Sequence, residues 1–176
     1  YSWNFFSEID INVSTKSDTI KILHLGTLYG DRNIDSLFKV VDEINEVKSS
    51  KKINIINMGS IYLNQKNEYL EKSFFTNLRE VFREEAIKFS SSCDILLLVQ
   101  HNNQLSYETI PYKFYDYLNC NKPILAIREN LEIDKFLNFK KDLAVKHHET
   151  EKIKKYLINF SLHTLIKENN NHNKKN

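Results

Sequence analysis

Residues 107–127, "YETIPYKFYDYLNCNKPILAI", set one proline at the head of a helical pattern and a second at the head of an apolar run. The residue before a proline avoids helical backbone angles, and proline itself suits the first helical position, so this spacing predicts a helix over Pro111–Cys120. Ile110, Phe114, Tyr117 and Leu118 recur at helical spacing and are expected to face a core. "PILAI", Pro123–Ile127, reads as a strand buried on both faces. A short helix feeding directly into a buried strand is one unit of a strand–helix repeat, and that unit decides the fold class.

The same alternation extends in both directions. Upstream, "TIKILHLG" (Thr19–Gly26) predicts a first strand, the Gly-containing loop "TLYGDRN" follows, and a helix opens at Ile34 with Ile34, Leu37, Val40, Val41 and Ile44 on one face. "INIINMG" (Ile53–Gly59) predicts a second strand, a short helical stretch covers Glu68–Glu71, and a brief strand follows at Phe74–Leu78. "VFREEAIKFSSSC" predicts a helix and "DILLLVQ" (Asp94–Gln100) a buried strand. Downstream, "NLEIDKFLNF" and "DLAVKH" form a helix–strand pair, and "TEKIKKYLINFSLHTLIK" a closing helix. The expected fold is α/β: a Rossmann-like, doubly wound, mostly parallel sheet of about six strands with helices on both faces, occupying residues 19–168. Ligands of such folds sit beyond the carboxyl ends of the strands.

Outside that body, residues 1–18 open with "YSWNFF" and are expected to be an interdomain linker or docking segment, with Trp3, Phe5 and Phe6 as its apolar contacts. Residues 169–176 are low-complexity, poor in apolar groups and expected to be a disordered tail, with His172 a solvated residue of it. The 25 basic and 23 acidic residues leave a formal charge of +2, too little for the broad basic field of a nonspecific nucleic-acid binder. Any anion site must be local. Cys93 and Cys120 show no CxxC pair and read as small apolar residues of a reducing compartment. The apolar runs are of strand length, short of the roughly 20 residues that a bilayer span needs. The chain lacks an initiating Met and is expected to be a cytoplasmic fragment of a longer protein. "KIKKY" in the last helix leaves open a contact with the inner face of a membrane, against an ordinary solvated helix face.

Two stretches could carry chemistry. The helix beginning at Pro111 turns unpaired backbone N–H groups toward a strand end, with Lys113 beside them; dipole and donors together favour a phosphate. Asp116 and Glu108 suit neutral hydroxyl groups instead, as ribose and sugars present them. The plainer reading makes Lys113 and Asp116 a weak surface pair and Glu108 solvated loop. In the first loop, Arg32 sits before a helix N-terminus where a guanidinium could clamp a diphosphate, and Gly26 and Gly30 permit tight turns; a solvated arginine is the alternative. "GTLYGDRN" is neither GxGxxG nor GxxxxGK[ST], which counts against dinucleotide dehydrogenases and nucleotide hydrolases. A phosphoacceptor domain needs clustered acids after the first strand, and that loop carries Asp31 alone. His101 closes a strand at the functional edge, while the adjacent His147 and His148 point in different directions, so no metal ligand set is expected.

Taken in order, three motifs resemble the C-terminal, donor-binding domain of retaining GT-B glycosyltransferases. "ILHLGTLYGDRNIDSLFKVVDEI" is similar to that family's opening strand, phosphate loop and helix, and "FREEAIKFSSSCDILLLV" to its helix, turn and strand. "IPYKFYDYLNCNKPILAI" resembles the P-x-K-x-x-E-Y…P-I-L-A signature of the polysaccharide and lipopolysaccharide branch. The resemblance covers roughly Lys21–Lys146. It implies that Asp116 holds ribose hydroxyls, that Glu108, separated from it by seven residues, lies near the transferred sugar, and that the helix start at Ile110, Pro111 and Tyr112 offers N–H groups to the diphosphate. It places Arg32 where the family has a phosphate-binding lysine and Thr27 where an arginine is frequent; the base rests near Arg79–Val81. By that resemblance Glu108, Arg32 and Lys113 are the catalytic candidates, and Gly26, Thr27, Arg32, Val81, Ile110, Pro111, Tyr112, Lys113 and Asp116 bind the donor, a UDP- or GDP-sugar, without a metal or other cofactor. The implied activity is hexosyl transfer to a surface glycan. This chain, expected to lack the N-terminal acceptor-binding domain that completes the enzyme, is then inactive by itself. A non-catalytic nucleotide-sugar-binding subunit or docking module is the competing expectation.

Overall fold

The computed structural model describes residues 19–30, 32, 34–48, 51–63 and 67–172; the expected linker, residues 1–18, lies outside them. Its main sheet has six strands, all parallel: β1 (Thr19–Leu25), β3 (Lys52–Met58), β5 (Phe75–Leu78), β6 (Ile95–Val99), β7 (Ile124–Ile127) and β8 (Leu143–Val145). They lie in the order β5-β3-β1-β6-β7-β8. Counted along the chain this is 3-2-1-4-5-6, the doubly wound order in which the connections reverse direction between the first and fourth strands. The expected α/β Rossmann-like sheet is therefore present. The reversal opens a crevice beyond the carboxyl ends of β1 and β6.

Each face of the sheet buries its own apolar layer, because successive side chains of a strand point to opposite sides. Ile20 and Ile22 join α1 (Asp35–Glu46) and α5 (Thr150–His172) on one face, through Leu37, Phe38, Val41, Ile153 and Leu157. Leu23 and Leu25 join the other face, where Phe114 and Tyr117 of α4 (Lys113–Asn119), Ile133 and Leu137 pack with half-buried Ala86 and Phe89 of α2 (Arg83–Ser90). β6 and β7 are buried at every position, as expected of central parallel strands.

The residues of α4 at helical spacing face the core. Phe114 and Tyr117 are fully buried, and Ile110 and Leu118 pack against the same cluster. The regular helix α4 starts two residues after Pro111, with Tyr112 already at helical angles and Phe114 N–H donating to Pro111 O at 2.9 Å. Asn121, with φ of 50°, reverses the chain after α4, a left-handed position that asparagine tolerates.

Four features depart from the sequence reading. Part of the loop after β1 is a short strand, β2 (Leu28–Gly30), paired in parallel with β4 (Ile61–Leu63) above the main sheet. A short helix, α3 (Gln104–Glu108), lies where no element was expected, started by the Asn103 side chain accepting from Ser106 N–H at 3.2 Å. The segment "NLEIDKFLNF" forms a 3-10 helix over Leu131–Phe136, held short by Asn130 capping its start and by Asp142 Oδ2 accepting from Asn138 N–H at 2.7 Å. Finally, α5 continues to His172, four residues into the expected tail. Extending a formed helix costs far less than nucleating one, so poor apolar content does not stop it there.

Candidate functional site

β1 delivers the chain to Gly26 at the crevice. Gly26 N–H donates to Met58 O at 2.8 Å, and Gly26 and Gly30 take φ values of 94° and 59°, which favour glycine. The neighbouring β3 ends equally tightly: a Cβ on Gly59 would stand 2.5 Å from the Gly26 carbonyl group. Two backbone carbonyls flank Gly26, and each holds a cation. Lys113 Nζ donates to Leu25 O at 2.8 Å, and Arg32 Nη1 donates to Thr27 O at 3.0 Å.

Arg32 is fixed further by Tyr29, whose ring lies 4.4 Å beneath its guanidinium carbon. The same ring meets His101 edge-on at 4.7 Å, so the loop after β1 touches the end of β6. Arg32 Nε is buried and has no hydrogen-bond partner among the described residues. Lys113 reaches back from the first turn of α4, and its Nζ lies 2.7 Å from Nε2 of the fully buried His24. Burial and the Arg32 charge bring the Lys113 pKa down to about 7, and burial also lowers that of Arg32. Among the described residues no carboxylate pairs with either cation. Two partly buried basic groups one glycine apart, without a carboxylate partner among the described residues, are the kind of arrangement an anion would satisfy.

The position of α4 depends on Tyr117. Its hydroxyl accepts from Leu25 N–H at 2.9 Å and donates to Leu97 O at 3.2 Å, binding the helix to β1 and β6. Pro111 carries no N–H, so the donors available at this helix start are those of Ile110, Tyr112 and Lys113. Tyr112 is 79% exposed and Ile110 half-buried.

Glu108 is exposed at the end of α3. Buried Gln100 places that turn, donating through Nε2 to Thr109 O at 2.7 Å and accepting through Oε1 from Glu129 N–H at 2.9 Å. Asp116 does not pair with Lys113. Its carboxylate, only 12% exposed, receives Nε of Arg83 at 3.1 Å and Nη2 of the same guanidinium. Arg79 and Glu80 follow β5, where Ser60 Oγ donates to Glu80 Oε1 at 2.8 Å, and Val81 is half-buried against the α4 side of the core. His147 Nε2 donates to Gln100 O at 3.1 Å while His148 is exposed. Among the described residues no three His, Cys, Asp or Glu side chains gather as a metal site, and no helix is long and apolar enough to cross a membrane.

The sequence reading missed His24, Asn57 and Arg83. The first two look like ordinary strand residues, and what singles them out is the register that sets His24 opposite Asn57. Arg83 could have been noticed as a cation opening a helix, although nothing in its spacing links it to Asp116. A cleft of about 640 Å³ lined by Thr19, Asp42, Asn45, Lys52 and Lys72 lies at the amino ends of the strands, away from the crevice.

No protein-family profile matches the sequence, and no curated protein matches it. Solved structures do. The apo form of the glycosyltransferase GlyE of Streptococcus pneumoniae TIGR4 aligns with a TM-score of 0.52 at 14% identity, over 81% of this chain and 33% of that one. A structure from E. coli described as trehalose-6-phosphate bound with UDP-2-fluoro glucose aligns with a TM-score of 0.57 at 11% identity, over 82% and 36%. HepE of Anabaena, in complex with UDP and glucose, gives 0.57 at 10% identity over 80% and 38%. The fold is thus the Rossmann-like fold of GT-B glycosyltransferases, and the chain spans about a third of the length of these structures.

Proposed function

We propose that this chain binds a nucleoside diphosphate sugar in the crevice beyond β1 and β6 and forms the donor-binding part of a glycosyltransferase. The observation that carries the reading is the pair of basic side chains, Arg32 and Lys113, held on the carbonyls either side of Gly26 with no carboxylate partner among the described residues. The diphosphate lies against those two groups and the N–H groups of Tyr112 and Lys113. Thr27 and Gly26 line the approach, Asp116 takes the ribose hydroxyls, and the base rests by Val81. Glu108, on the open side, lies toward the transferred sugar. The complexes of HepE with UDP and of the E. coli protein with UDP-2-fluoro glucose support a UDP-sugar in particular.

Catalysis in this reading is electrostatic. Charge develops on the leaving diphosphate as the glycosidic bond breaks, and Arg32 and Lys113 stabilise it in a setting where burial makes each interaction stronger than in water. A metal is not needed for that role. Transfer requires an acceptor-binding partner domain. In the full protein we place that domain against this crevice, working at the inner face of the membrane on a surface polysaccharide, with retention of the anomeric configuration and a hexosyl donor.

Calorimetry with UDP and GDP tests the binding step. Saturable binding of either, abolished by Lys113→Ala in a folded sample, is the expected result. Failure of the folded chain to bind both removes the reading. A second reading, a docking module that does not read the ribose, draws on Asp116, whose carboxylate is already filled by Arg83. It predicts equal affinity for UDP and inorganic diphosphate, whereas a ribose contact at Asp116 makes UDP the tighter ligand.

A further inference from the structure

Behind Lys113 runs a chain of hydrogen bonds whose direction can be read from its far end. Asn57 uses both protons of its amide nitrogen, donating to Gly59 O at 3.0 Å and to Asn77 Oδ1 at 2.7 Å. Its oxygen therefore faces His24 as an acceptor, so His24 Nδ1 carries a proton and donates across 2.7 Å. In a neutral imidazole that leaves a lone pair on Nε2, which accepts from Lys113 Nζ. Burial first, and the Lys113 charge second, hold the His24 pKa well below its ordinary value and keep the ring neutral.

Lys113 thus faces two fixed acceptors, His24 Nε2 and Leu25 O. A neutral amine has two N–H groups, and these two acceptors engage both. Only the ammonium has a third, directed away from them. The groups that face Lys113 are His24 from β1 and Arg32 from the loop; on its own helix, Asp116 turns to Arg83 and the Tyr117 phenol is held neutral by burial. No carboxylate among the described residues is placed to keep the ammonium charged. An entering diphosphate does so, by supplying opposite charge.

Resting on the donor-site reading above, we propose that His24, oriented by Asn57, is a positioning residue that presents Lys113 as a proton-switched phosphate donor, so that binding of a nucleoside diphosphate draws a proton from solvent onto Lys113 Nζ. The Lys113 amine gains that proton and its lone pair becomes the third N–H bond, donated to a phosphate oxygen.

The test is calorimetry of UDP binding to the 176-residue chain between pH 7.5 and 9, in paired buffers of different ionisation enthalpy. In this window the terminal phosphate, with a second pKa near about 6, is already ionised and adds no proton of its own. We expect net proton uptake on binding, and affinity falling by about tenfold per pH unit above pH 8. Lys113→Arg, which does not lose its proton, binds without uptake and with a flat profile. His24→Gln, which can still donate to Asn57 and accept from Lys113, keeps the uptake. His24→Leu, lacking the acceptor, moves the profile to lower pH; if it does not fold, the Gln and Arg variants carry the test. UDP binding with flat affinity and no uptake, or an unshifted profile in folded His24→Leu, overturns this inference and leaves the donor site standing. No UDP binding at any pH overturns the donor-site reading itself.

Discussion

Gly59 shows how little room the crevice leaves. A methyl group at this position would run into the Gly26 backbone rather than into a flexible side chain, so neither strand end can yield cheaply. Gly59→Ala is expected to destabilise the chain by about 2 kcal/mol, measured by urea denaturation, because overpacking typically costs about 1–3 kcal/mol. Arg32 contributes charge and not packing alone. Arg32→Ala should weaken UDP binding by about 10- to 100-fold, the range expected when a charged hydrogen bond of about 1.5–3 kcal/mol is lost. Asp116→Asn separates sugar recognition from phosphate recognition: titration should show UDP binding weakened several-fold and inorganic diphosphate unchanged. A parallel loss for both ligands would place Asp116 outside the ribose contact.

At the scale of elements, the helix after Pro111 is positioned by one phenol. Tyr117→Phe keeps the ring in its core and leaves Leu25 N–H without its partner, so a loss of about 1–3 kcal/mol is expected in denaturant melts. UDP affinity should fall with it, because Lys113 rides on the same helix. This helix is also where the sequence was most legible. Proline at its head, Phe114 and Tyr117 at helical spacing and the apolar run after Pro123 required only local rules, and the elements stand as expected. β2, β4 and α3 were not legible for a physical reason. Three-residue strands and a five-residue helix carry no periodicity, and their existence depends on long-range partners: Leu28 against Ile61, and Gln100 reaching Thr109. The site was legible in the same measure. Arg32 and Lys113 could be singled out by their place in the chain, while His24 and Asn57 become a pair only through the register of β1 with β3.

For the whole molecule, the crevice makes folding stability depend on pH. An unfolded lysine keeps its proton to about pH 10.4, whereas Lys113 in the folded chain keeps it only to about 7. Between these values the unfolded state binds more protons, so stability should rise with pH. His24, lowered in the same direction, extends that rise below pH 6.5. The Cys93 thiol, pushed up to about 11 by burial, acts oppositely above roughly pH 9 and offsets the Lys113 slope there, so the curve levels off. Denaturant titrations from pH 6 to 10 should show this rise and plateau, and Lys113→Met should flatten the rising limb between pH 7 and 9. Folds of this doubly wound order take their ligands at the carboxyl ends of the strands, while the cleft at the amino ends offers a rival location. Amide chemical-shift mapping of the labelled chain with UDP compares the two directly. Shifts concentrated at Gly26–Tyr29, Gly59 and Tyr112–Phe114 are the predicted result; shifts confined to Asp42, Asn45, Lys52 and Lys72 would contradict the account.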